Sequence, residues 1–143
     1  MATTTCSFTL NSSDLISTAP LNVATSNVLY KAGLQIGLDQ VRMGRNEIPE
    51  GSPTNFDLLD ATAAAVDKSN WVYIANLETD VTLYVTITID AEVIGRLYAG
   101  DWMFIPWNCD DATHDIEVQS SSGTQTIEWM CMHENETLPT AAD

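Results

Sequence analysis

The chain has 143 residues, 45% of them hydrophobic, with five Lys and Arg against twenty Asp and Glu and a formal net charge of −15. That length suits one domain, and the apolar fraction argues against a wholly disordered chain. Lys31, Arg42, Arg45, Lys68 and Arg96 are the whole cationic inventory, so phosphate neutralisation is weak and neither nucleic acid nor an anionic membrane is an expected partner.

The same charge keeps copies apart and soluble, and salt such as that of seawater would screen the self-repulsion. No run of apolar residues is long enough to span a bilayer. The start, Met1-Ala2-Thr3-Thr4-Thr5-Cys6, lacks the charged and apolar regions of a secretory signal, which points to folding in cytoplasm. Cys6, Cys109 and Cys131 form no CxxC pair, so buried free thiols are favoured over a disulfide framework or zinc knuckle. Without a secretory signal, the sequons at Asn11-Ser12-Ser13 and Asn135-Glu136-Thr137 carry little weight.

In chain order, Thr3 to Leu10 alternates weakly, with Phe8 and Leu10 on one side, and reads as an extended arm or edge strand. Ser12-Ser13-Asp14 could cap a very short helical turn, closed off by Pro20. Leu21, Val23 and Thr25 share one face of a strand, and Leu34, Ile36 and Leu38 share one face of a second, with a turn at Lys31-Ala32-Gly33. The segment 46–53 reads as a loop by its prolines and glycine. Leu58 to Val66, with its alanine run, is the one place for a short helix.

The second half alternates more clearly. Trp71–Leu77 is a strand, and in Val81–Ile89 the residues Leu83, Val85, Ile87 and Ile89 face opposite Thr82, Tyr84, Thr86 and Thr88. A turn at Asp90-Ala91-Glu92 leads to a return over Val93–Tyr98. Ala99-Gly100-Asp101 turns the chain into Trp102–Ile105, which Pro106 ends. Asp115–Gln119 and Thr124–Met132 form a hairpin across Ser120-Ser121-Ser122-Gly123. Short strands at intervals of about eight to twelve residues predict an all-β, antiparallel β-sandwich, jelly-roll-like, with at most one short helix. The expected plan is a Ser/Thr-rich arm or edge strand over 1–20, the sandwich over 21–133 and a flexible acidic tail over 134–143.

No pattern for catalysis or cofactor binding emerges: GxSxG, a P-loop, GxGxxG and HExxH do not occur. His114, within Cys109-Asp110-Asp111-Ala112-Thr113-His114-Asp115, could contribute to a cation site, but a solvated loop is favoured. Cys131 and His133 share a strand face and make half a metal site at best. With twenty acids, chance carboxylate pairs are uninformative. The chain therefore reads as not an enzyme, with no cofactor and no metal.

Both sides of Trp102-Met103-Phe104-Ile105 are apolar, so this strand is buried on both faces or meets another subunit. The strand carrying Trp129 has the same character. Trp102 and Trp107, with Tyr98, could also suggest a sugar platform. Phe8, Leu10, Tyr98, Trp102, Phe104 and Trp107 are the candidate partner contacts. The arm at Thr3–Leu10 could add to a neighbour's sheet or form an ordinary first strand.

The run Gly95-Arg96-Leu97-Tyr98-Ala99-Gly100-Asp101-Trp102-Met103-Phe104-Ile105-Pro106-Trp107 follows Trp71-Val72-Tyr73-Ile74-Ala75-Asn76 and the Thr-rich strand. Over Asn70 to Met132 this order resembles small virion structural proteins, of decoration or cement type, of marine tailed bacteriophages. The resemblance implies a capsid decoration protein on the outer capsid surface of a virion, partnered by the major capsid protein or another virion protein. It also implies a homo-oligomer, with a trimer favoured by three-fold shell positions. A tail or connector component and a receptor- or glycan-binding module are the alternatives.

Overall fold

In a computed structural model, the structure describes residues 3–15, 18–51, 55–63 and 68–134. Ten strands account for most of it: β1 (Thr4–Ser12), β2 (Leu21–Leu29), β3 (Gln40–Ile48), β4 (Phe56–Leu59), β5 (Asn70–Asn76), β6 (Tyr84–Ile89), β7 (Glu92–Tyr98), β8 (Trp102–Pro106), β9 (Ile116–Ser120) and β10 (Gln125–His133). The last eight form two four-stranded sheets, ordered β3-β10-β5-β8 in sheet I and β4-β9-β6-β7 in sheet II. Every strand pair is antiparallel. The chain alternates between sheets so that strands distant in sequence become neighbours, the double Greek key of an eight-stranded jelly roll.

The core lies between the sheets. Val72, Ile74, Ile127 and Cys131 come from sheet I, and Val85, Ile87, Ile116 and Val118 from sheet II, all essentially inaccessible. The alternation along β6 produces its share: Val85 and Ile87 point inward while Tyr84 and Thr86 are only half-buried. β6 turns into β7 through Asp90 and Ala91, both with positive φ (52° and 59°), the geometry of a tight two-residue hairpin. Three Asp-x-Thr triplets close other turns: the carboxylates of Asp60, Asp80 and Asp111 accept the backbone N–H of Thr62, Thr82 and Thr113. The Thr82 hydroxyl and backbone N–H hold the exposed Asp80 carboxyl below the usual carboxylate range, and the Thr113 backbone N–H and hydroxyl do the same for Asp111.

β1 and β2 pair over their full length and with no other described strand, forming a two-stranded ribbon. The expected boundary after residue 20 falls inside this hairpin. The loop that follows runs back through Lys31 N–H to Ile36 O (2.7 Å) and Leu38 N–H to Leu29 O (3.0 Å). The strand expected over Leu34, Ile36 and Leu38 is therefore a turn region, in which Leu34 and Ile36 are exposed and only Leu38 is buried.

Other expectations change as well. The loop expected from Asn46 begins later, because β3 continues through Ile48; Ser52 and Pro53 lie outside the described residues. The helix expected over Leu58–Val66 is β4 plus a 3-10 turn at Ala61–Ala63, capped by Asp115 accepting Ala61 N–H at 2.6 Å; residues 64–66 lie outside the described residues. β9 and β10 are not a hairpin: they belong to opposite sheets, and the turn between them switches sheets. Glu134, expected to open a flexible tail, is buried and accepts the backbone N–H of Ala32 and of Ser69 (2.9 Å for the latter). Its carboxylate ties the base of the ribbon loop to the start of β5 and the end of β10. The expected tail over 135–143, with the sequon at Asn135, lies outside the described residues.

In sheet I, Gly44 of β3 lies opposite Trp129 of β10. A Cβ at Gly44 would stand 3.0–3.1 Å from the indole ring, whose N–H donates to Asn46 Oδ1 at 2.8 Å. A glycine here lets the ring lie across the neighbouring strand. Gly44→Val is expected to cost about 1–3 kcal/mol by overpacking, read from urea unfolding together with a shift in tryptophan emission.

Candidate apolar docking groove

The outward faces of the two sheets differ in chemistry. Residues paired across strands share a face. On sheet I the outward rows are Val41, Met132, Trp71 and Pro106; then Met43, Met130, Tyr73 and Phe104; then Arg45, Glu128, Ala75 and Trp102. Nearly all are apolar or aromatic, and the one charged pair is internally matched, Arg45 to Glu128 at 2.7 Å. Trp71 stacks on Phe104 at 5.1 Å, and Tyr73 meets Trp102 at 6.3 Å. On sheet II the outer face carries Asp57, Glu117, Thr86, Gln119 and Arg96 in matching positions. Tyr84, Tyr98 and Val93 add apolar area to sheet II, but only sheet I presents rows that are almost wholly apolar across all four strands.

The β1–β2 ribbon stands against that face. The register puts Thr4, Cys6, Phe8 and Leu10 on one side with Leu29, Asn27, Thr25 and Val23, while Thr5, Ser7, Thr9, Ser26 and Ala24 occupy the other. A groove of about 570 Å³ opens between ribbon and sheet, lined by Cys6, Phe8 and Leu29 on one wall and by Tyr73, Trp102, Phe104, Met130 and Met132 on the other. A volume in the range of about 300–1,000 Å³ with mostly apolar walls is the usual form of a site for an apolar ligand or side chains. Along the ribbon, burial fades toward the tip: Leu29 is 3% exposed, Phe8 40%, Val23 42% and Leu10 46%.

The groove gathers four of the six residues singled out from sequence into one neighbourhood. Phe8, Trp102 and Phe104 line it, and Leu10 continues the same ribbon face beyond it. Tyr98 lies elsewhere: it is exposed on β7 of sheet II, 5.2 Å from Tyr84, whose ring carries the Arg96 guanidinium at 4.6 Å. Trp107 corrects the expectation of a surface contact. Its backbone N–H donates to Asn70 O (2.9 Å) and its indole N–H to His114 O (2.8 Å), and the ring sits in the core at 5% exposure. Tyr98, Trp102 and Trp107 thus do not form one aromatic platform of the kind a sugar would stack on.

Sequence reasoning missed Met130, Met132 and Tyr73 as groove residues. Their signal was present in the two-sided apolar character of β10, but only the strand order reveals which side faces out. The Cys109–Asp115 stretch is a connection closed by Asp111, with His114 Nδ1 3.2 Å from Asp110. Among the described residues no group of three or more His, Cys, Asp or Glu could hold a metal ion, and no helix is long and apolar enough to cross a membrane.

The three thiols differ in access. Cys109 and Cys131 are buried in the core and Cys6 is half-exposed at the groove. Burial pushes the Cys131 thiol up to about 11, so its reactive thiolate is scarce at neutral pH. The folded protein is expected to take up one equivalent of a small thiol reagent, at Cys6, and three after denaturation. Mass spectrometry of the labelled peptides checks both counts. No protein-family model matches this chain, and no curated protein matches it.

Proposed function

We propose that this chain is a non-enzymatic virion structural protein, a capsid decoration or cement protein that binds the outer shell and stabilises it through subunit contacts. The observation that carries the reading is the pairing of an apolar outer sheet face with a ribbon whose two strands carry no charge, on a chain of net charge −15. Such a surface is built for protein contact, since a large exposed apolar patch on an otherwise charged module marks an interaction site. The jelly roll supplies a rigid platform, a fold used by capsid domains among others. The likeness of residues 70–132 to phage decoration proteins supplies the virion setting and the major capsid protein as partner.

The mechanism is physical. A clip that binds the assembled shell and not its free subunits stabilises the shell by mass action. Many weak attachments acting together add avidity that no single contact provides. Particles stripped of the protein are expected to release their contents at a lower temperature than complete ones, and re-addition restores the difference. Particles shown to lack the protein yet equally heat-stable would sink the cement reading.

A further inference from the structure

We infer that the ribbon of one copy docks in the groove of a second copy, so that the chain self-associates head to tail through its β1–β2 tip. The inference rests on reading the chain as a contact protein, and it names the partner of the groove as this same chain.

Charge selects the occupant. Two copies at −15 each repel wherever their ordinary surfaces meet. The eighteen residues of β1 and β2 hold no charged side chain at all. The groove wall contributes one carboxylate, Glu128, already bound by Arg45 through Nε at 2.8 Å. Along β1, β2 and the groove wall a second copy thus meets no uncompensated charge, and the hairpin's one charged residue, Asp14, lies in the turn beyond the strands.

Shape and exposure select the same partner. The base of the ribbon's apolar side is covered by its own chain at Leu29 and faces its own groove at Phe8, whereas Leu10 and Val23 project beyond it. A two-stranded hairpin is marginal by itself in water and needs a third layer against its apolar face. The groove offers aromatic and thioether walls, Trp102, Phe104 and Met130, that match such side chains. The far end of the ribbon, Leu10 and Val23, lies outside the groove that its base helps to line, so the contact is heterologous. It closes into a ring or continues as a chain according to the rotation between copies.

Two variants test it together, both at exposed positions that leave the core untouched: Leu10→Asp on the ribbon and Trp102→Glu at the groove. Light scattering coupled to size exclusion, with circular dichroism as the folding control, is expected to give a multiple of 15.6 kDa for the unaltered chain and 15.6 kDa for each variant alone. Mixing the two variants is expected to give a one-to-one dimer, because one intact ribbon meets one intact groove. A monomeric unaltered chain, an oligomer that survives either substitution, or a mixture that stays monomeric overturns the proposal; the last outcome would mean a symmetric contact. A monomer whose groove instead takes up an apolar dye overturns it equally, in favour of a small ligand. These measurements use free protein, so they can fail while the particle-stability experiment succeeds, and the reverse.

Discussion

Trp107→Ala is expected to lower the unfolding free energy by about 3–5 kcal/mol, while Trp102→Ala, five positions earlier, costs only about 1–2 kcal/mol. The two indoles look alike in sequence, flanking one short strand. Trp107 fills the core between the sheets and its N–H satisfies the carbonyl of His114. Truncation therefore leaves a cavity and removes the hydrogen bond to a part-buried carbonyl together. Trp102 is 54% exposed on the outer face of sheet I, so its loss gives up a half-covered ring and its contact with Tyr73 but leaves no closed cavity. Urea unfolding at low protein concentration, where self-association adds nothing, is the measurement. A domain of this kind has only about 5–15 kcal/mol in total, so Trp107→Ala brings it close to unfolding. Equal costs at both positions would contradict the placement of the two rings.

The second large effect is expected at Gln125, which is fully buried at the start of β10. Its amide N–H groups donate to Tyr84 O (2.9 Å) and Ser120 Oγ (2.8 Å), and its carbonyl accepts from Asn76 Nδ2 (3.1 Å). Asn76 Nδ2 also donates to Leu97 O at 3.0 Å. Asn76 and Gln125 belong to sheet I, whereas Tyr84, Leu97 and Ser120 belong to sheet II. The network bolts the two sheets together at one end. Gln125→Leu keeps the volume and removes three hydrogen bonds from the core, while Tyr84 O, Ser120 Oγ and Asn76 Nδ2 keep second partners in Ser121 N–H, Gly123 O and Leu97 O. The loss is about 3 kcal/mol at about 1 kcal/mol per bond. The double change Asn76→Leu/Gln125→Leu is expected to cost clearly less than the sum of the single changes, because the groups act as a unit. Additive losses in urea unfolding would mean that the network is not a unit.

These two sites also mark how far the sequence could be read. The strict alternation of Val85 and Ile87 with Thr86, and the Asp90-Ala91 turn, are local signals, and they gave β6 and β7 directly. β3 left little trace because it is an edge strand whose buried contribution is mainly Ile48; its last residues, Asn46 to Ile48, read as the start of the loop over 46–53. A short Ser/Gly turn looks the same whether it closes a hairpin or sends the chain to the other sheet, so the β9–β10 connection was misread. Trp107 was misread for a related reason: Pro106 correctly ends the strand, but only tertiary folding carries the next residue into the core. Phe8, Leu10, Trp102 and Phe104 stood out through side-chain type alone. That they share a neighbourhood depends on the ribbon crossing sheet I, and no periodicity encodes that.

The strand order bears on how the chain acquires its shape. β9 and β10, the last strands in chain order, occupy interior positions, β9 between β4 and β6 and β10 between β3 and β5. Neither sheet is continuous until they are inserted. During synthesis, residues up to about Asp115 therefore emerge with two open slots of unpaired backbone and no closed core, because non-local pairing must wait for the distant segment. Interrupting translation before His133 should yield a protease-sensitive, aggregation-prone chain and not a smaller stable intermediate.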